Sequence, residues 1–375
     1  MGTNKRILVY FKLFAMVDTS SFLRGLLKVQ SIATDENFNR LHYKITATIL
    51  LFFSLLISWA HFSGDAVDCD FPGRSHRSLD TYCYAHSTFL VERFITGTER
   101  EYVPHPGVAA HVKDDKLKFY GYYGWVYIVL FLQALSFYIP HYMWKSWEGG
   151  KLKMLTVELT SPVLRKDCIK ENTEPLIDYF CSTLHSHNSY AYKYFFCEML
   201  NFINAVGQIC FMNVFIGEDF VYYGIDIIMF NREQIVGMTD PMERLFPVMT
   251  KCTYQTFGPS GTLENLEGMC TLTQNALNAR IYAFLWFWFY ILAIISAFVV
   301  ICRVVILISR SIRLYVFQTS SSLNSGGDID VVFHKLRIGD WFLLHMLQQN
   351  INPLAYKQLI CGIAQHCDDS GVLDA

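Results

Sequence analysis

The chain has 375 residues, of which 52% are hydrophobic, 16% aromatic and only 17% charged, where a soluble domain carries nearer a quarter charged residues. The apolar excess sits in a few long runs, which excludes an ordinary soluble globule and points to an integral membrane protein. A net charge of −2 offers no basic surface for nucleic acid.

Residues 1–44 read as a cytoplasmic, partly helical arm in which Lys5, Arg6, Lys12, Arg24, Lys28 and Arg40 alternate with apolar residues. Lys12 interrupts what would otherwise pass for a signal-peptide core, and no small-residue cleavage site follows. Phe22, Leu23, Leu26, Leu27 and Ile32 share much of one helical face. The first span is predicted at 45–62. Ser54, Ser58, His61 and Asp65 fall on one face of it. A polar stripe facing lipid is costly, so it either packs against neighbouring helices or walls a water-filled pore. Both readings answer the same constraint.

A polar loop, 63–121, carries Cys69 and Cys83. The second span, 122–143, has no charge between Tyr122 and Ile139 and ends in the aromatic belt of Tyr142, Trp144 and Trp147. The loop 144–193 starts basic, with helices expected near Ser161-Pro162 and from Pro175 to Leu184. The third span is predicted at 194–216, where Glu198 reads as an interfacial carboxylate. A second polar loop, 217–280, holds Cys252 and Cys270. The fourth span, 281–309, opens on a dense aromatic run and closes on Arg303, Arg310 and Arg313. The tail, 310–375, passes through the linker SSSLNSGG to one helical pattern at 331–349.

Four spans put both termini on one side. Basic residues at Arg40/Lys44, Lys145/Lys151/Lys153 and Arg303/Arg310/Arg313 favour the cytoplasm for that side. Lys113, Lys116 and Lys118 argue the other way, from a loop long enough to weaken the charge rule. Termini inside leaves Cys69, Cys83, Cys252 and Cys270 in the oxidising compartment, an even set for disulfides with three possible connectivities.

No catalytic pattern appears: H-E-x-x-H, G-x-S-x-G, the phosphate-binding loop and G-x-G-x-x-G are all missing. His185 and His187 with Cys181 lack an acidic partner nearby in sequence and make a poor metal site. No enzyme, cofactor or metal is expected. The fold class is an all-α membrane protein with four transmembrane helices per subunit, a disulfide-pinned extracellular domain and a helical cytoplasmic domain. Such a bundle is filled by its own side chains, so a wide pore requires a ring oligomer.

Ordered motifs sharpen this reading. They are Arg40-Leu41-His42-Tyr43, Gly64-Asp65 through Cys69, Asp80-Thr81-Tyr82-Cys83, Tyr122-Tyr123-Gly124-Trp125-Val126 and residues 144–151. Asp240-Pro241-Met242, Thr250-Lys251-Cys252, residues 281–289 and Gly339-Asp340-Trp341-Phe342-Leu343-Leu344 follow. In this order they resemble the innexins of insects, invertebrate gap-junction proteins of the pannexin superfamily.

The resemblance implies tetraspan subunits in the plasma membrane, joined with identical or related innexin subunits in octameric hemichannels. These dock across two cells to pass ions and small metabolites. It implies disulfides Cys69–Cys270 and Cys83–Cys252, and an amino arm that lines the pore mouth, with Asp18 on it. Span-one residues Ser54, Ser58, His61 and Asp65 are the other pore-lining candidates, and Tyr122, Tyr123, Trp125 and Val126 carry the family motif. Two features depart from the family pattern. Gly124 stands where innexins usually have Gln, and residues 1–15 precede the usual start, which aligns with Met16: either Met16 is the physiological start, or residues 1–15 crowd the pore entrance and gate it, the reading favoured here. The alternatives are an undocked hemichannel releasing small molecules such as ATP, and a tetraspan adhesion or barrier protein. The claudin and tetraspanin signatures of the latter class are missing.

Overall fold

The structure, a computed structural model, describes residues 32–64, 66–71, 77–95, 103, 105–110, 112, 114–157, 159, 166–233, 240–321 and 326–369. The arm before Ile32 with Asp18 and its apolar face, Asp65, the Ser161-Pro162 helix start and linker residues 322–325 lie outside them.

In chain order, α1 (Asn37–Ser63) precedes β1 (Asp68–Asp70), α2 (Arg77–His86), β2 (Thr88–Val91) and β3 (Leu117–Tyr120). Then come α3 (Val126–Glu148), α4 (Lys151–Thr156), α5 (Lys166–Ser182) and α6 (Asn188–Ile216). They are followed by α7 (Tyr223–Glu233), α8 (Pro241–Leu245), β4 (Met249–Phe257), β5 (Leu263–Thr271) and α9 (Thr273–Ile308). Helices α10 (Arg310–Ser320), α11 (Gly326–Lys335), α12 (Ile338–Gln348) and α13 (Pro353–Asp369) complete the described chain.

Helices α1, α3, α6 and α9 are long and apolar enough to cross a membrane. Their ends differ from the predicted spans. Helix α6 begins at Asn188 rather than Tyr194, and α9 at Thr273 rather than Ile281. An apolar run marks only the part suited to hydrocarbon, whereas the helix continues as long as its backbone bonds do. Within α1, Leu41–Thr46 forms a π-helical turn in which Thr46 Oγ1 donates to the Leu41 carbonyl at 2.9 Å. Such turns widen the helix locally.

The chain divides into two compact units. The disulfide-bearing unit comprises Ala47–Ser136 and Ile203–Ile294. Its five-stranded antiparallel sheet has the order β1-β5-β4-β2-β3. Strands β4 and β5 form a long hairpin in register from Met249↔Thr271 to Phe257↔Leu263. This sheet stands where the sequence reading expected only polar loops. Three- and four-residue strands such as β1, β2 and β3 are too short for period-two alternation to show.

The termini-bearing unit comprises Met1–Thr46, Phe137–Phe202 and Ile295–Ala375. Its core gathers Trp144, Phe180, Tyr194, Trp341, Phe342 and Leu359. Helix α13 packs on α5 and α11, and α12 on α4 and α10. The single tail pattern at 331–349 is two helices, α11 and α12, parted at Leu336-Arg337, where Asp340 accepts the Arg337 amide at 3.3 Å. Pro175, expected to open a helix, lies inside α5.

Candidate functional site

The polar stripe of α1 divides on inspection. Ser54 is 2% exposed, and its hydroxyl donates to the Tyr127 carbonyl of α3 at 2.7 Å. It is a helix–helix contact within the subunit, the first of the two readings open for the stripe. Ser58 and His61 are half-buried. The His61 ring lies among Phe62, Tyr84 and Tyr127, with centroids 5.3, 5.6 and 5.5 Å away. The large exposed side chains of this stretch are apolar: Phe52, Leu55, Trp59 and Phe62.

Tyr84, on α2, was not singled out by the sequence reading. Its hydroxyl lies 3.4 Å from His61 Nε2. A Cβ at Gly124 would come within 2.6 Å of that hydroxyl. The space that a Gln side chain would enter at position 124 is therefore occupied by Tyr84. Burial, then the neighbouring Tyr127 and Tyr123, push the Tyr84 phenol up to about 12, so it is a neutral donor at physiological pH.

The two disulfides pin the sheet. Cys69 and Cys270 face each other across β1 and β5 with Cα atoms 4.0 Å apart. Cys83 of α2 joins Cys252 of β4 with Cα atoms 5.9 Å apart. Asp80 Oδ1 accepts the Cys69 amide at 3.0 Å, tying α2 to β1. The Tyr122-Tyr123 pair fastens the mouth of α3 to both loops. Tyr122 donates to the Leu245 carbonyl at 2.9 Å and Tyr123 to the Cys83 carbonyl at 3.5 Å. Val126 is buried, while Trp125 is 61% exposed at the start of the span, where interfacial aromatics sit.

Lys251 reaches the Ala109 carbonyl at 2.7 Å and pairs with Glu267. Asp240 caps α8 through the Met242 amide at 2.9 Å, with Pro241 in the first turn. The family motifs thus supply the cross-links, the cap and the tethers of this unit.

In the termini-bearing unit the polar groups pair in a different way. Arg303 donates from Nε and Nη2 to the two Glu198 oxygens at 2.9 and 3.0 Å, and also meets Glu36. The Glu198 side chain is 1% exposed. It is the buried half of an ion pair with Arg303. Asn201 donates to Asn39 at 2.9 Å, Asn39 to Tyr194 at 3.0 Å, and His42 Nε2 lies 2.8 Å from Ser296 Oγ.

His185 and His187 gain the acidic partner that the sequence reading denied them. Asp340 Oδ1 is 2.9 Å from His187 Nδ1, and Oδ2 is 3.4 Å from His185 Nδ1. Burial alone would raise the Asp340 carboxyl. Bonds from His187 and from the Arg337 and His185 amides outweigh it and hold the group below the ordinary carboxylate range. The pair joins the loop before α6 to α12 and is not grouped with Cys181. Among the described residues the one cluster with metal-ligand geometry is Cys69, Cys83 and Cys270, and its sulfurs are committed to disulfides.

Comparison with known proteins agrees with this architecture. The innexin family model matches residues 35–367. Innexin inx2 of Schistocerca americana is 42% identical over 359 residues, covering 96% of this chain and 100% of its own. Innexin inx2 of Drosophila melanogaster is 42% identical over 351 residues, covering 93% and 96%. Innexin shaking-B of Drosophila melanogaster is 37% identical over 355 residues, covering 93% and 94%. The chain belongs to the innexin family, whose members are gap-junction channel subunits.

Proposed function

We propose that this subunit assembles in the plasma membrane as an octameric ring with its termini in the cytoplasm. Two such rings dock end to end through the disulfide-bearing loops and pass ions and small metabolites between cells. The observation that carries this reading is the sheet clamped by Cys69–Cys270 and Cys83–Cys252, built from the two loops expected outside. A docking surface must keep its shape without a partner, and cross-links between distant segments supply that rigidity.

In this reading the half-buried Ser58 and His61, with Asp65 and the arm residue Asp18, border the lumen, and Ser54 does not. Conduction draws on no cofactor and no catalytic residue. The chain's partners are copies of itself or related innexin subunits.

The test is junctional conductance between paired cells expressing only this chain, starting at Met1 or at Met16. Coupling by either form supports the reading. Surface-expressed protein that admits dye into single cells without coupling pairs would instead identify a hemichannel. A second measurement locates the lumen. A charged thiol reagent should block current through S58C and H61C and leave S54C unaffected.

A further inference from the structure

Helix α7 presents its apolar side outward. Tyr223 is buried and donates to the Ala279 carbonyl at 3.0 Å. Gly224 lies so close to α9 that an added Cβ would stand 2.1 Å from Trp286 Cε3. The turn just before the helix is held by Trp286 Nε1 and Tyr290 Oη, each donating to the Val221 carbonyl at 3.1 Å. On one flank Asp226 faces Arg244, with 3.5 Å between Oδ2 and Nη2. The adjoining flank carries Tyr222, Ile225, Ile228 and Met229, which are 63%, 49%, 45% and 48% exposed. At 100° per residue these four positions fill an arc of about 120°.

A helix in water hides such an arc, and the attachments of α7 explain why this one does not. The stretch from Ile281 to Cys302 has no charged residue, and its length matches the bilayer's hydrocarbon core. Trp286 and Tyr290 lie in the first half of that stretch, so the Val221 carbonyl they hold sits beside the part of α9 suited to hydrocarbon. On the spans α6 and α9, Phe211, Val214, Ile291 and Ile294 are likewise exposed apolar side chains.

We propose that α7 is an interfacial helix, embedded by Tyr222, Ile225, Ile228 and Met229 in the headgroup and acyl boundary of the outer leaflet. Its Asp226–Arg244 flank faces water. An amphipathic helix of this kind lies in the membrane plane and binds through its buried apolar area. It anchors the second outer loop to lipid between α6 and the sheet, so the disulfide-clamped sheet is held at a set height over the bilayer.

Intact cells bearing I225C, I228C or M229C, with surface arrival verified, are treated with a charged, impermeant thiol reagent. S260C at the hairpin tip, which is exposed, serves as the aqueous reference. The three helix positions should react at least ten-fold more slowly than S260C. A benzophenone amino acid replacing Tyr222, an exposed aromatic position that tolerates another ring, should yield phospholipid adducts on illumination. Reaction rates equal to that of S260C overturn the proposal. So do slow rates accompanied by cross-linked subunit dimers instead of lipid adducts, because the face would then be a contact between copies.

Discussion

In the disulfide-bearing unit, distant segments meet through sulfur, strand ladders and tyrosine hydroxyls bonded to carbonyls. In the termini-bearing unit they meet through buried charge, as in Glu198–Arg303–Glu36 and His187–Asp340, and through a large aromatic and aliphatic core. The first set of devices survives where thiols oxidise. The second leaves ionisable groups buried as pairs, which respond to pH and to the loss of a partner. One chain therefore carries a unit fixed by covalent cross-links and a unit fixed by buried ion pairs.

The largest effect expected from breaking this contrast is at Glu198 and Arg303. Removing one member of a buried pair costs about 3–5 kcal/mol, because the other stays buried and uncompensated. R303M should sharply lower the melting temperature of the purified chain, and E198L added to R303M should recover much of the loss. If R303M melts like wild type, the pair does not hold this unit together. Next in size, replacing Cys83 and Cys252 by alanine should destabilise by about 2–5 kcal/mol, with protease cuts appearing in the outer loops while α10 to α13 stay protected. Equal digestion of both units would erase the contrast.

A smaller effect is expected at Gly124. G124Q forces a side chain into the space of Tyr84 and should cost about 1–3 kcal/mol as overpacking. Y84A in the same chain should restore stability; failure to do so would show that Tyr84 is not what fills the site.

The smallest effect is a pH dependence. The Asp340 carboxyl sits below its ordinary value in the folded chain. Its contribution is fully present above the unfolded value of about 4 and fades as pH falls through the lower folded value. D340N should flatten the acid limb of the stability curve below about pH 4 and leave the disulfide-bearing unit's protection unchanged.

How much of this was legible in the sequence follows from the range of each interaction. The spans could be read because an uncharged run is a local property. The pairing of Glu198 was not legible because its partner Arg303 lies 105 residues away. His187 and Asp340 are brought together by folding across most of the loop, third and fourth spans, and nothing local links them. The sheet was missed because its strands are short and its hairpin is polar. The exposed arc of α7 was missed because Ile225-Asp226-Ile227-Ile228 sits in a loop whose overall composition is polar. Ser54 was legible as a polar residue needing a partner, but the choice between a helix and a pore needed the Tyr127 carbonyl.

The most direct test of the central claim is conductance between unlike cells, one expressing the wild-type chain and its neighbour a chain with all four outer cysteines replaced by alanine. Both proteins are first confirmed at the surface. The account predicts no junctional current, since one docking face has lost the cross-links that hold its sheet. Current equal to that of wild-type pairs would contradict it and would place recognition outside the disulfide-clamped sheet.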